Sequence, residues 1–480
     1  MIPSLPSTLR ALALIALAGC STGTLTTASE PTSDPPDDPW ALDEDGGPYP
    51  DDEGKEGVPL PLEDGGPKLP DPEARPEDAG EPPDPPAPPP EDAGDIVEPF
   101  DAGAPAVDAG APAADAGAVS PVGPALPALL PRYLTVFSRR PADNAPDPAI
   151  ENLLVALIQR AVPGSRIRVA VYHFTRDGVA DALIAARARG VDVRVLLDGA
   201  VRAALDDPDD GSDATVAASL ILGLGRSRVT LCQAPGSACL GTGIMHHKTF
   251  LFSDVGGGSR NVVVQASHNL TGGQVHRHNN AVVIRGDSQL FAAYERTFEQ
   301  QRRDQVQLDY YRVSSGDFAT RAYFFPRAHG DTAVSVIDNV SCAGGGRIRV
   351  AMAFFTDARL EVARALRRRR AAGCSVEAVI GDQTIRVGRR VLRELRDGGV
   401  TVTLYPGRSG GWGLHSKYLL VDARYAGSAA RRQLVFTGWH NWTGSALRAN
   451  DETMLRLDHD SVFNAFMDDW THVRDSARRR

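Results

Sequence analysis

Two stretches of the chain share one pattern of apolar and polar positions. Residues 166–175 read RIRVAVYHFT and residues 347–356 read RIRVAMAFFT, and a mainly apolar run of this kind is typical of a buried strand. Apolar residues at helical spacing follow each run: Val179, Leu183 and Ala186 in the first copy, and Val362, Ala365 and Leu366 in the second. Gly190 and Gly373 then end the helices, and new apolar runs predict strands at 191–197 and 375–380. The pattern predicts an α/β fold of two related halves, each a β-sheet flanked by helices.

A second pair of matching segments comes late in each half and carries polar side chains. His246 and Lys248 precede one apolar run, and His415 and Lys417 precede the other. Because side chains two residues apart on a strand face the same way, each histidine should point into a site together with its lysine.

A polar turn follows each of these segments. Residues 267–271 read SHNLT and residues 439–443 read WHNWT. Hydroxyl and amide groups of this kind can bind oxyanions, so Ser267, Asn269 and Asn441 are candidate ligands of an anion.

Composition divides the chain into two regions of opposite charge. Residues 21–130 hold 26 acidic and 3 basic residues and 25 of the 36 prolines, whereas residues 131–480 hold 35 acidic and 47 basic residues. The first region has few large apolar residues and repeats Asp-Ala-Gly, so we expect a disordered acidic spacer. The second is a basic domain, which suits an anionic substrate.

Lysine is rare in the basic domain. Among residues 131–480 there are 45 arginines but only two lysines, and these are Lys248 and Lys417. An ammonium is compact and rotatable, unlike the planar guanidinium. We infer that lysine is kept at these positions because it can follow a phosphoryl oxygen as the phosphorus changes geometry.

The duplicated H-x-K motif with its later turn resembles the HKD motif of the phospholipase D superfamily, over nearly all of residues 131–480. The resemblance implies two halves packed about a pseudo-two-fold axis around one active site. That site uses no metal and no cofactor, and it requires no oligomer because both motifs lie in one chain. One histidine attacks phosphorus to form a phosphohistidine, and the other protonates the leaving alcohol and later activates water. On this resemblance His246 is the nucleophile and His415 the acid and base.

The resemblance also implies roles for neighbouring residues. Four side chains would hold the non-bridging oxygens: Lys248, Lys417, Asn269 and Asn441. Glu452 matches the acidic residue that the family places after the turn to hold a catalytic imidazole. In the first half Asn279 occupies that place and brings no charge.

The aspartate of the family motif is matched only in the second half, by Asp422. In the first half that position is Ser253, and Asp254 comes one residue late. The serine of the turn is present as Ser267 but is Trp439 in the second half. We expect Ser267, Trp412 and Trp439 to contact substrate; alternatively, the tryptophans around the second motif simply pack, or form an amphipathic rim at a lipid interface.

The N-terminus has the features of an export signal. Residues 1–19 carry one charge, Arg10, and an apolar run too short to span a bilayer. Residues 17–20, LAGC, resemble the lipobox of bacterial lipoproteins, in which the cysteine, here Cys20, is lipidated; an ordinary cleavage site is the alternative. Ser21 after it favours sorting to the outer membrane. We expect an exported protein anchored to the cell envelope, with signal 1–19, spacer 20–130 and halves 131–330 and 331–480.

The remaining cysteines can form two disulfides. Three pairings are open, and proximity within each half favours Cys232 with Cys239 and Cys342 with Cys374. Several histidines between 246 and 278 could suggest zinc, but their spacing matches no standard site, so we expect no metal. The run 367–370, four arginines on a predicted helix, forms either a solvated face or a contact with a polyanion or anionic head group.

Taken together, the residues and the resemblance indicate a phospholipase D that cleaves phospholipids to phosphatidic acid and a head-group alcohol. A metal-independent nuclease is the alternative, because residues 180–195 also resemble the short bacterial endonuclease branch and a basic domain suits DNA. A third hypothesis is a catalytically inactive surface binding protein. The expected partners are a phospholipid or other phosphodiester, or nucleic acid, and a membrane reached through the anchor.

Overall fold

Two β-sheets, one for each copy of the repeated sequence, form the framework of the protein in a computed structural model. The structure describes residues 126–478 except 207–211, 383–386, 408–411 and 439. The expected signal, most of the expected spacer, Cys20 and Trp439 lie outside the described residues.

The first part of the chain supplies the first sheet and its helices. In chain order these elements are β1 (Tyr133–Ser138), α1 (Ala149–Arg160), β2 (Arg166–Val171), α2 (Asp177–Ala188), β3 (Asp192–Leu197), α3 (Val201–Asp206), α4 (Ser212–Leu224), β4 (Val229–Leu231), β5 (Lys248–Asp254), β6 (Arg260–Ala266), β7 (Arg277–Arg285) and α5 (Ser288–Gln301).

The rest of the chain supplies the second sheet. Its elements are β8 (Arg312–Ser315), β9 (Thr320–Phe324), α6 (Thr332–Asp338), β10 (Val340–Ser341), β11 (Arg347–Met352), α7 (Leu360–Ala371), β12 (Ser375–Asp382), α8 (Arg389–Asp397), β13 (Thr401–Pro406), β14 (Gly413–Leu414), β15 (Lys417–Tyr425), β16 (Arg431–Gly438), α9 (Gly444–Arg448), β17 (Thr453–Asp458) and α10 (Asp460–Arg478).

The two sheets repeat one strand order. The first runs β1-β7-β6-β5-β2-β3-β4, and the second runs β13-β12-β11-β15-β16-β17-β9-β8. In both, the strand of the repeated segment pairs parallel with the next strand and antiparallel with the strand that carries the lysine. The expected α/β class with two related halves is therefore confirmed.

Each sheet is covered by helices because its strands are apolar on both faces. β2 is buried at every position after its first residue. In the first half α1, α2 and α4 bury their apolar residues in the same cluster as β2, β3 and β6, and in the second half α6, α7 and α8 pack in the same way. A third cluster, with residues from β6, β7, β15 and β16 and from helices α5 and α10, joins the two halves.

Strands on both sides of residue 330, the expected boundary between the halves, pair with the sheet of the other half. β8 and β9 lie before that residue, yet β9 pairs antiparallel with β17 in the second sheet. β14 crosses in the other direction and pairs with β7 of the first sheet. An apolar pattern marks a strand but not its partner, so the sequence could not show in which sheet β8, β9 and β14 lie.

The first strand of the described chain, β1, lies at one edge of the first sheet. Leu130, the last residue of the expected spacer, is buried, and its amide donates to Ser259 Oγ at 3.0 Å. Both favoured disulfides are formed, Cys232–Cys239 and Cys342–Cys374. Among the described helices, none has the length and apolar character needed to cross a bilayer.

Candidate active site

His246 belongs to the first half, but its hydrogen-bond partners lie in the second half. It lies just before β5 and is buried, and its amide donates to the carbonyl of Asp451 at 3.1 Å. Its ring Nδ1 lies 2.9 Å from Glu452 Oε1. Because an ionised carboxylate only accepts hydrogen bonds, Nδ1 carries a proton, and in the neutral form of the ring the lone pair is on Nε2.

His415 has the reciprocal arrangement. Its amide donates to the carbonyl of His278 at 3.0 Å, and its Nδ1 lies 2.9 Å from Asn279 Oδ1. The orientation of the Asn279 amide is fixed because its Nδ2 donates to the backbone carbonyl of Gln274 at 3.2 Å. Oδ1 therefore accepts from Nδ1 of His415, and the Nε2 of His415 is again the atom with the lone pair.

Both imidazoles thus lie at the interface between the two sheets, and each is oriented by a side chain of the opposite half. The two supports differ in charge, since Glu452 is a carboxylate and Asn279 is an amide. A carboxylate on Nδ1 stabilises positive charge on the ring, whereas an amide oxygen does so only weakly. The geometry therefore gives two imidazoles whose Nδ1 partners differ in charge.

The two lysines are buried beside these histidines, as the spacing predicts. Lys248 is fully buried, and its Nζ donates to the backbone carbonyl of His246 at 2.9 Å. The Nζ of Lys417 lies 3.0 Å from Nε2 of His415. An ammonium can only donate, so this contact agrees with an unprotonated Nε2 on His415.

Asn269 and Asn441 occupy matching places in the two halves. The residue after each asparagine exchanges two backbone hydrogen bonds with the segment that follows β2 or β11. Both side chains are buried, and among the described residues neither amide oxygen has a hydrogen-bond partner. A buried amide oxygen without a partner is costly. This oxygen can only accept a hydrogen bond, so any contact with an anion would be made by the amide nitrogen, Nδ2.

Ser267 requires a correction. We expected its hydroxyl to contact substrate, but Oγ donates to Asn279 Oδ1 at 2.9 Å and accepts from the amide of Asn280 at 3.0 Å. Ser267 therefore positions the amide that orients His415.

Asp422 also requires a correction, because it lies far from the two histidines. It pairs in register with Arg347 at the start of β11, whereas Lys417 pairs with Met352 at its end. Burial would raise the pKa of Asp422, but hydrogen bonds from Arg431 and Arg347 outweigh it and hold that pKa below its usual value. In the first half the amide of Arg166 donates to Ser253 Oγ at 2.8 Å, and Asp254 pairs with Arg260. These residues anchor strand ends.

The prediction of an amphipathic tryptophan rim is wrong for Trp412 and Trp442, because both are buried. Trp412 is 2% exposed and Trp442 is 3% exposed. The indole of Trp412 donates to the carbonyl of Asn144 at 3.3 Å and packs against His278. Trp442 packs on Phe355. Trp439 lies outside the described residues.

Three further histidines surround the site and stay neutral at neutral pH. Burial lowers the pKa of His247, of His268 and of His440 to about 3 in each case. Nε2 of His268 lies 3.8 Å from Glu151, but that carboxylate bonds to Arg176 at 3.0 Å. We therefore treat His268 as a neutral ring beside an ion pair.

Sequence reasoning missed two residues that shape the site. The ring of Tyr172 lies 5.4 Å from the ring of His246 and from Nζ of Lys248. Asp451 accepts the amides of Cys239, Leu240 and Gly241, which ties the loop before His246 to the second half. Tyr172 directly follows a repeated strand, and that position was a usable signal. Asp451 had none, because its partners are distant in sequence.

Metal-ligating atoms converge at one place in the described part of the chain, formed by Cys232, Cys239 and Asp304. Both thiols there are joined in a disulfide.

Comparison with protein families gives a match over most of the folded region. The family model described as "Cardiolipin synthase, PLD-like domain" matches residues 154–302 and 337–473, which is more than half of the chain. The two matched segments correspond to the two copies of the repeat. No curated protein matches the sequence.

Several solved structures are similar to the chain. A polyphosphate kinase from Porphyromonas gingivalis is 14% identical with a TM-score of 0.45, over 70% of this chain and 49% of that one, so the chain spans about half of its length. A phosphatidylserine synthase from Haemophilus influenzae is 15% identical with a TM-score of 0.48, over 71% and 86%. A phospholipase D family member from Salmonella typhimurium is 19% identical with a TM-score of 0.26, over 38% and 97%.

Proposed function

Because the chain belongs to the PLD-like (phospholipase D-like) domain family, whose members are phosphodiesterase-type enzymes, we propose that it hydrolyses phospholipids to phosphatidic acid and a head-group alcohol. The observation that carries the proposal is the pair of hydrogen bonds between the halves, His246 to Glu452 and His415 to Asn279, each 2.9 Å long. They orient two imidazoles at one interface. In each ring Nδ1 donates to a side chain of the opposite half, so Nε2 is the atom left for the reaction.

His246 is the nucleophile in this proposal. Its Nε2 attacks phosphorus, and the bond between phosphorus and the head-group oxygen breaks. The ring becomes positively charged as the new P–N bond forms, and the carboxylate of Glu452 stabilises that charge through Nδ1–H. Asn279 could not do the same for His415, and this difference supports the assignment.

His415 acts first as the acid and then as the base. In its protonated form it gives the Nε2 proton to the leaving alcohol. It then takes a proton from water, the hydroxide attacks phosphorus, the P–N bond breaks, and phosphatidic acid leaves with His246 restored.

Four donors would hold the non-bridging oxygens during both steps. These are the buried ammonium groups and amides of Lys248, Lys417, Asn269 and Asn441. When phosphate enters, its oxygen replaces Nε2 of His415 as the acceptor for Lys417. That exchange leaves Nε2 available to carry the proton that the alcohol needs.

A nuclease is the second candidate, favoured by the excess of 47 basic over 35 acidic residues in 131–480. We place the lipid substrate first because of the lipobox-like sequence at Cys20. We also propose that this cysteine carries the anchor, and that the protein lies on the cell envelope. Incorporation of labelled palmitate that Cys20→Ser abolishes would support the anchor; equal labelling of both chains would reject it.

The substrate can be tested with the full chain carrying Cys20→Ser. It is given phosphatidylcholine vesicles or plasmid DNA in the presence of a chelator, beside His246→Ala and His415→Ala variants. The exposed His329 gives a matched control, His329→Ala. We expect choline release that falls at least about a thousandfold in both site variants and is unchanged in the control.

Nicking of DNA with no choline release would reject the lipid substrate and favour the nuclease. Turnover of neither substrate would favour the inactive binding protein. Acid-labile phosphate found on His415 in place of His246 would reverse the two roles.

A further inference from the structure

Helix α8 presents a row of arginines to solvent. Arg389, Arg393 and Arg396 are exposed and lie one turn apart along one stripe, and Arg390 is exposed beside them. The opposite face of the helix buries Val391 and Leu395 in the core of the second half. The helix is therefore fixed in orientation, with its basic face outward.

The arginines of this face form no ion pairs among the described residues, although α8 also carries Glu394 and the exposed Asp397. Within the part of the chain that the structure describes, none of the four α8 arginines makes an ion pair. The arginine run at 367–370 on α7 differs, because Arg367 pairs with Glu394 at 2.9 Å and Arg368 pairs with Asp338. The run that the sequence singled out is thus largely a salt-bridged face, whereas the four exposed arginines of α8 make no ion pair among the described residues.

The residue before α8 is linked through the backbone to the segment that carries Asn441. The amide of Gly388, the residue before α8, donates to the carbonyl of Phe355 at 2.9 Å. Phe355 in turn forms a β-bridge with Trp442, which directly follows Asn441. The N-terminal end of α8 is therefore joined, through Gly388 and Phe355, to the segment that carries Asn441.

We propose that the arginine face of α8 docks the enzyme on the anionic head groups of a phospholipid surface. Guanidinium groups bind phosphate oxygens through paired donors, and the charge remains at every physiological pH. The stripe from Arg389 to Arg396 is about 10 Å long on a straight helix, which suits several head groups in one plane. The described tryptophans of the second motif are buried, so they provide no competing apolar rim.

This inference rests on the proposed lipid substrate for its biological meaning, but it is tested by binding. The full chain with Cys20→Ser and His246→Ala, which has no anchor and no nucleophile, is sedimented with vesicles of phosphatidylcholine alone or with 30% phosphatidylglycerol. The test variant adds Arg389→Gln, Arg393→Gln and Arg396→Gln. A charge-matched control instead adds Arg226→Gln, Arg303→Gln and Arg312→Gln, three exposed residues outside α8.

We expect binding only to the vesicles that contain phosphatidylglycerol, and loss of that binding in 0.5 M salt. Each arginine near such a surface is worth about a fivefold change in partitioning, so the α8 variant should bind on the order of a hundredfold less tightly. The control should lose far less. Equal losses in the two variants would mean general charge attraction and would overturn the proposal.

Two other outcomes are informative. Plasmid DNA bound through the α8 arginines, with no binding to vesicles, would overturn the lipid surface in favour of nucleic acid. Alternatively, vesicle binding depends on α8 while the chain with His246 intact cleaves no phospholipid. That result would support the docking surface and reject the proposed function.

Discussion

Glu452 accepts a hydrogen bond from Nδ1 of His246 at 2.9 Å, so a carboxylate of the second half orients the imidazole of the first. Asn279 of the first half does the same for His415 with an uncharged amide. The duplicated motif is therefore symmetric in the sequence of its histidines and lysines but asymmetric in the charge that supports them. This asymmetry leads to the first two predictions.

Glu452→Gln keeps the size of the side chain and removes its charge. We expect kcat for choline release to fall by about a hundredfold to ten-thousandfold, because the ring loses the carboxylate that stabilises its positive charge. Urea unfolding measured in parallel should show a stable fold. Activity within threefold of the wild type would mean that Glu452 does not support a nucleophile.

Asn279→Asp gives His415 the carboxylate that it lacks. A carboxylate stabilises the imidazolium, so the protonated acid persists to higher pH. We expect the alkaline limb of the kcat/KM profile to move to higher pH by about one unit or more. Asn279→Ala, which adds no charge, is the control; it should lower the rate without moving that limb upward. A shift of the acidic limb alone would indicate the reverse assignment of roles.

Lys417→Arg tests whether the rare lysine is required as an ammonium. The side chain is 2% exposed, so a planar guanidinium must be accommodated at a site built for a smaller group. We expect a loss of about a hundredfold or more in kcat although the charge is kept. Arg424→Lys, at an exposed position on the same strand, makes the opposite exchange and should have little effect. Retention of activity by Lys417→Arg would show that charge alone is sufficient.

Asp451→Ala is expected to reduce stability and not only activity. Its carboxylate accepts three backbone amides, and the change leaves these buried donors without a partner. The free energy of unfolding should fall by about 3 to 5 kcal/mol in urea titrations. An exposed control, Asp468→Ala or Asp460→Ala, should change it by less than about 0.5 kcal/mol. A loss no larger than in the control would mean that this contact between the halves contributes little.

Acid should destabilise the fold through its buried histidines. Burial lowers the pKa of His268 from its ordinary value of 6.5 to about 3 in the folded state. Above pH 6.5 the ring is neutral in both the folded and the unfolded state. As the pH falls from about 6.5 towards 3, only the unfolded state takes up the proton, so the free energy of unfolding decreases. The wild type should lose about 2 kcal/mol through this residue between pH 6 and pH 4.5.

His268→Gln removes that titration, so its unfolding free energy should depend less steeply on pH in the same interval. The difference between the two chains isolates the histidine, because burial also raises the pKa of Asp198, of Asp451 and of Asp469 to about 6. These carboxyls act in the opposite direction, and they are common to both chains. Parallel pH profiles would contradict the prediction.

Local sequence was sufficient to predict the repeated β-α-β units and the two His-Lys pairs. A buried strand needs apolar residues and a surface helix needs a periodic face, and both requirements are met within about ten neighbouring positions. Two side chains that lie two apart at a strand end share a direction whatever the rest of the fold does, so pairing each lysine with its histidine needed no tertiary information. The cysteine pairs within each half were likewise accessible from proximity.

Packing between distant parts of the chain sets which half supports which histidine and which polar residues lie away from the site. Glu452 and Asn279 reach across the interface, Ser267 turns its hydroxyl to Asn279, Asp422 anchors the far end of its strand, and β9 joins the second sheet. Each of these outcomes depends on strand partners or loop directions that are set by the packing of residues distant in the chain. Hydrogen-bond partners across an interface leave no periodic signal in the sequence, because they are set by proximity in space and not by spacing along the chain.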